Sequence, residues 1–93
     1  MFKTNQYFDG NVVSIALESN EGSATVGVMK AGEYEFGTGT IEIMTVISGQ
    51  LTILQPNETI WKTYSKFESF EVAKGVKFKV KCIEDTPYLC IYK

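Results

Sequence analysis

Val76-Lys77-Phe78-Lys79-Val80-Lys81-Cys82 alternates apolar residues with three lysines. Side chains along an extended strand point to opposite faces with a period of two, so Val76, Phe78, Val80 and Cys82 share one face and the lysines share the other. Such a strand has an inside and an outside, and the rest of the chain must supply the core for the inside.

The flanking sequence supplies it with more strands. Val12–Leu17, Ala24–Met29, Tyr34–Phe36, Ile41–Ile47, Leu51–Leu54, Phe67–Val72, Val76–Ile83 and Tyr88–Tyr92 are short and rich in β-branched and aromatic residues. No window carries a helical period. Turn chemistry separates the strands at Ser19-Asn20-Glu21-Gly22, Ala31-Gly32, Gly37-Thr38-Gly39, Ser48-Gly49, Pro56-Asn57-Glu58, Lys74-Gly75 and Glu84-Asp85-Thr86-Pro87. Strands recurring about every 8 to 12 residues with short turns indicate an all-β sandwich or small barrel. A hairpin turning near Thr86 is expected to set Cys82 opposite Cys90, where two small apolar thiols pack together.

Composition bounds the chemistry. At 93 residues and 10.4 kDa the chain is expected to form one domain over 1–93, with one core. It contains no His, which excludes a Ser-His-Asp or Cys-His relay, a three-histidine zinc site and a histidine general base. A net charge of −2 and a pI near 5.1, with lysines scattered singly and no polybasic run, give no pull toward nucleic acid or an acidic membrane. The amino-terminal Met1-Phe2-Lys3-Thr4-Asn5-Gln6 lacks the apolar centre of a signal peptide, and no apolar run approaches the roughly 18 residues that span a bilayer. The expected location is the cytoplasm, where Cys82 and Cys90 stay reduced.

Two motifs carry a resemblance. Glu42, six residues and then Gly49 resembles the end of the first cupin motif, and Val72-Ala73-Lys74-Gly75-Val76-Lys77-Phe78-Lys79-Val80 resembles the second. The resemblance implies a small cupin, a double-stranded β-helix or jelly-roll barrel. In metal-binding cupins these motifs supply two His and a Glu, then another His; the matching positions here are Phe36, Thr38, Glu42 and Phe78. One carboxylate is a poor transition-metal site, so the expectation is an aromatic-lined pocket with a single acid, no metal and no cofactor.

A closer resemblance runs the length of the chain. Asn5-Gln6-Tyr7-Phe8-Asp9-Gly10-Asn11-Val12, Thr25-Val26-Gly27-Val28-Met29, Gly32-Glu33-Tyr34, Met44-Thr45-Val46-Ile47-Ser48-Gly49 and Tyr88-Leu89-Cys90-Ile91-Tyr92 resemble the small bacterial pyrimidine/purine nucleoside phosphorylases. That family implies a pentosyltransferase: a nucleoside plus phosphate gives free base and pentose 1-phosphate, with broad tolerance of the base. It also implies a homodimer, with phosphate as co-substrate.

The reaction needs a group to stabilise a sugar cation, a surface for the base and a cradle for phosphate. Glu42 is the candidate for the first, the alternative being a barrel-mouth acid paired with a lysine. Phe36 and Phe78, with Tyr34, Tyr92, Trp61 or Tyr64 near the rim, are candidates for stacking, although small barrels also fill their cores with aromatics. Trp61 and Tyr64 would serve equally as dimer contacts. With no Arg in the chain, the cradle falls to Thr38 between Gly37 and Gly39, with Lys79 or Lys30 for charge. Alternation sets Lys79 on the face opposite Phe78, the solvated side. The family pattern has a basic residue near Ser23 and a His near Lys79, both absent here. The competing expectation is a non-catalytic, metal-free cupin module that binds a small sugar-like or nucleotide ligand.

Overall fold

The computed structural model describes all 93 residues and contains ten strands and no helix. They are β1 (Thr4–Tyr7), β2 (Val12–Ser19), β3 (Gly22–Met29), β4 (Gly32–Gly37), β5 (Glu42–Val46), β6 (Gln50–Leu54), β7 (Lys62–Ser65), β8 (Ser69–Val72), β9 (Lys77–Cys82) and β10 (Thr86–Tyr92). One sheet runs β1-β2-β3-β10-β5-β8 and the other β4-β9-β6-β7, with every pairing antiparallel. The sheets face each other across one apolar core.

Alternation decides what enters that core. In β9, Phe78, Val80 and Cys82 are buried while Lys77, Lys79 and Lys81 are exposed. Opposite them, β10 and β5 send in Tyr88, Cys90, Met44 and Val46. Leu51, Ile53, Val72 and Val12 complete the tightest part, each at most 1% exposed. The lysine-bearing face meets Glu33 and Glu35 of β4 in register, Lys81 opposite Glu33 and Lys79 opposite Glu35.

Three expectations are corrected. Cys82 and Cys90 do not face each other across a hairpin: β9 pairs with β4 and β6 in one sheet, and β10 lies between β3 and β5 in the other. Ile83–Asp85 carries the chain across the core instead of reversing it, and both thiols are free and buried. The turn read over Glu84–Pro87 is shorter, because Thr86 is wholly buried at the start of β10, its hydroxyl donating to the Glu84 carbonyl at 2.8 Å. Phe67, read as the start of a strand, has φ 67°, is 70% exposed and precedes β8. Two strands lacked a periodic signal: β1 and β7 lie at sheet edges, where polar side chains are tolerated on both faces.

Candidate active site

Glu42 opens β5, and the two-residue period that buries Met44 and Val46 turns it toward the same interior. It pairs with Tyr92 of β10 on one side and Val72 of β8 on the other. In the opposite sheet Phe36 of β4 stands in register with Phe78 of β9, their rings stacked at 5.8 Å between centroids and 29° between planes. Between these two groups lies a cavity of about 260 Å³, walled by Phe8, Phe36, Phe78, Tyr88 and Glu42.

The electrostatics follow from the lining. No lysine borders the cavity, so burial, which disfavours the charged form, raises the Glu42 carboxyl above its ordinary value of 4.5. A hydrogen bond from the Cys90 thiol to Glu42 Oε1, at 3.5 Å, acts in the other direction. Burial first and Glu42 second push the Cys90 thiol up to about 12, so it stays a neutral donor. Burial, then the neighbouring Cys90, pushes the Tyr88 phenol up to about 12. Tyr92 is raised by burial as well, and its hydroxyl shares a 3.0 Å hydrogen bond with Thr25.

Tyr88 enters the cavity because Gly27, its partner on β3, has no side chain. A Cβ at Gly27 would lie 2.7 Å from Tyr88 Oη and 2.7 Å from the Val13 backbone oxygen. Only glycine admits the ring in this position.

Of the residues singled out from sequence, Glu42, Phe36, Phe78 and Tyr92 converge on the cavity. Tyr34 does not border it. That side chain packs in the core beside Phe36, 6.2 Å between ring centroids, and its hydroxyl donates to the Lys30 carbonyl at 2.6 Å. Thr38 also stands outside: its hydroxyl donates to the Ala73 carbonyl at 2.6 Å and accepts from the Val76 N–H at 3.0 Å, while its own N–H donates to the Val76 carbonyl at 2.9 Å. These bonds tie the Gly37–Gly39 turn to the turn before β9. Lys79 lies on the exposed outer face, and Ser23 donates to the Glu18 carboxylate at 3.0 Å. Trp61 lies beneath the Lys81 ammonium at 4.2 Å, and Tyr64 packs against Phe70 at 4.7 Å.

Tyr7, Phe8, Ser14, Tyr88 and Cys90 are lining residues that the sequence reading did not select. The two-residue period ending at Tyr92 places Tyr88 and Cys90 on its face, so alternation was a usable signal for them. Phe8 sits in a turn, where no periodicity exists. As donors for a metal the cavity offers the Glu42 carboxylate, the exposed Glu35 at its rim and one protonated thiol, and no three His, Cys, Asp or Glu side chains come together anywhere. A divalent ion needs three or four ligands, so these residues do not fit one.

Comparison with known proteins gives a consistent result. The sequence model of the pyrimidine/purine nucleoside phosphorylases matches residues 2–92. The chain is similar to the pyrimidine/purine nucleoside phosphorylase of Pseudomonas syringae pathovar tomato, 55% identical over 93 residues and covering 100% of both chains. Among solved structures, a Vibrio parahaemolyticus protein described as of unknown function superposes with a TM-score of 0.92 at 41% identity, over 97% of this chain and 96% of that one. The cupin domain of Drosophila melanogaster CENP-C superposes with a TM-score of 0.75 at 13% identity, over 99% of this chain and 70% of that one, a likeness of fold. The architecture is a cupin.

Proposed function

This chain belongs to the pyrimidine/purine nucleoside phosphorylase family and is a nucleoside phosphorylase, and we propose that it transfers the pentose of both purine and pyrimidine nucleosides to phosphate within the Glu42 cavity. The observation that carries this reading is a single inward carboxylate set against stacked aromatic rings.

The chemistry divides between the two sheets. A phosphate oxygen forms a bond to the anomeric carbon as the glycosidic C–N bond breaks. The bonding pair leaves with the base, which then takes a proton from solvent. Positive charge builds on the sugar in between, and Glu42, as a carboxylate, is the group that stabilises it. Phe36, half-buried at the cavity wall, offers the base an aromatic surface, and stacking, worth roughly 1 to 3 kcal/mol per base, ignores base identity. That property suits a broad-specificity pentosyltransferase.

Phosphate is held in this reading by neutral donors. The raised Tyr88 and Tyr92 phenols keep their protons at neutral pH, and Ser14 and Tyr7 add hydroxyls at the same cavity. No cofactor enters, phosphate being the co-substrate.

We further propose a homodimer in the cytoplasm. Its support is the outer face of the six-stranded sheet, where Val13 pairs with Val28 and Ile15 with Val26, all four between 37% and 48% exposed. Pro87 and Leu89 of β10 extend the same face in register. A contiguous apolar sheet face of this kind marks an interaction surface, and a second copy matches it in chemistry. No helix is long and apolar enough to cross a membrane.

Purified protein incubated with uridine or adenosine and phosphate is expected to release base and pentose 1-phosphate. Release no greater than in a no-enzyme control would refute the reading. Phosphate omission must abolish the release, which separates phosphorolysis from hydrolysis.

A further inference from the structure

The turn joining β1 to β2 sets a bulky residue, Phe8, at a left-handed position where a hairpin turn favours Asn, Asp or Gly. Phe8, Asp9 and Gly10 all have positive φ, at 53°, 58° and 85°. The Gly10 N–H donates to the Tyr7 carbonyl at 3.1 Å and the Asn11 N–H to the Phe8 carbonyl at 3.1 Å, so the chain reverses on two left-handed residues. Asp tolerates that conformation; a bulky side chain such as Phe is an outlier there. The turn carries the Phe8 ring to 5.0 Å from Tyr34 and 5.4 Å from Phe36, where it stands nearly perpendicular to Phe36 at 87°.

Phe8 is still 42% exposed, and it borders the Glu42 cavity. Sparsely populated backbone conformations that persist cluster at ligand sites, where the gain comes from holding a group in position. The attachment is also light. β1 is an edge strand that pairs with β2 alone, and three of its four side chains are exposed.

We propose that Phe8 is a specificity-determining residue that forms the outer aromatic wall of the base subsite, at right angles to Phe36, and contacts a planar heteroaromatic base lying along Phe36. This inference rests on the phosphorylase reading for the identity of the ligand. A two-ring purine covers Phe36 and reaches the Phe8 wall, whereas a one-ring pyrimidine reaches it less. The wall therefore contributes to purine binding more than to pyrimidine binding.

Steady-state kinetics with adenosine and with uridine, at saturating phosphate, test this on wild type, Phe8→Ala and Phe8→Asn. Asn accepts left-handed φ, so the second variant removes the ring without straining the turn. The KM for adenosine is expected to rise about 5- to 100-fold in both variants, and that for uridine less, with kcat within about threefold of wild type, as for a contact made equally in ground and transition states. A merely structural role would lower the melting temperature and kcat together. Folded variants with both KM values within twofold of wild type, or with equal rises for the two nucleosides, would overturn the proposal. If the wild type releases no base, the phosphorylase reading falls, and calorimetric titration with adenosine alone decides the role of Phe8. A weaker Kd in Phe8→Asn supports it; an unchanged Kd, or no binding to wild type, sinks it.

Discussion

Cys90 donates its thiol hydrogen to Glu42 Oε1 at 3.5 Å, and this is the hydrogen bond that the cavity provides for its one buried-side carboxylate. No ammonium is nearby to hold the carboxylate charged, so the two forms of Glu42 are set by burial against one weak donor. That balance makes both the reaction and the stability of the fold depend on pH.

Glu42→Gln keeps the shape and removes the charge, and turnover is expected to fall by about 10²- to 10³-fold, the usual loss when a preorganised electrostatic group is removed. The stability effect has the opposite sign. The folded-state pKa of Glu42 lies above 4.5, so its contribution to stability is fully present below pH 4.5 and is lost as pH rises through the folded value. The Gln variant has no such loss. It is expected to melt above wild type at pH 7, with the difference closing as the pH falls below 4.5. Thermal melts across that range, beside activity at pH 7, check both halves.

Cys90→Ala removes the donor without changing charge, because the thiol is neutral up to about pH 12. Losing the bond that lowers the Glu42 pKa is expected to move the acid limb of the kcat/KM profile to higher pH, while the plateau at alkaline pH stays near wild type. An acid limb that does not move would show that the thiol has no hold on Glu42.

Gly27→Ala places a methyl 2.7 Å from Tyr88 Oη and 2.7 Å from the Val13 carbonyl oxygen, a backbone atom that cannot simply rotate away. Overpacking of this kind typically costs about 1 to 3 kcal/mol. Urea denaturation should show that loss, and KM should rise as well, since Tyr88 must tilt into the cavity.

Val26→Lys puts a charge in the middle of the apolar face shared with Ile15 and Leu89. Sedimentation at micromolar concentration is expected to give a dimer for wild type and a monomer for this variant. Wild type sedimenting as a monomer would remove the homodimer from the proposal.

Much of the fold is legible because alternation is a local property. Val76–Cys82 declares its inner and outer faces without reference to any partner, and the same rule places Met44 with Glu42 and Cys90 with Tyr92. Two of the four edge strands escape the rule: Thr4–Tyr7 and Lys62–Ser65 meet water on much of their surface, so no apolar period is required of them, whereas the edge strand β8 keeps its alternation. The absence of histidine is legible in the same way, and with Phe36 and Phe78 at the matching positions it points to an aromatic-lined pocket; Phe36, Phe78 and Glu42 do border one cavity, with the exposed Glu35 at its rim.

What the sequence by itself determined is the β architecture, the family and the inward acid, because these depend on residue type and spacing along the chain. The tertiary structure alone decided which sheet each strand joins, and so that Cys82 and Cys90 lie in different sheets and that Cys90 serves Glu42. It also placed Thr38 in a turn-binding role and brought Phe8, from a turn with no periodic signal, against Phe36. The physical reason is range: side-chain alternation is set within a few residues, whereas the contacts that make the cavity join positions far apart in the chain, such as 8 and 36, which the packing of the two sheets brings together, or 42 and 90, which the pairing of β5 with β10 brings together.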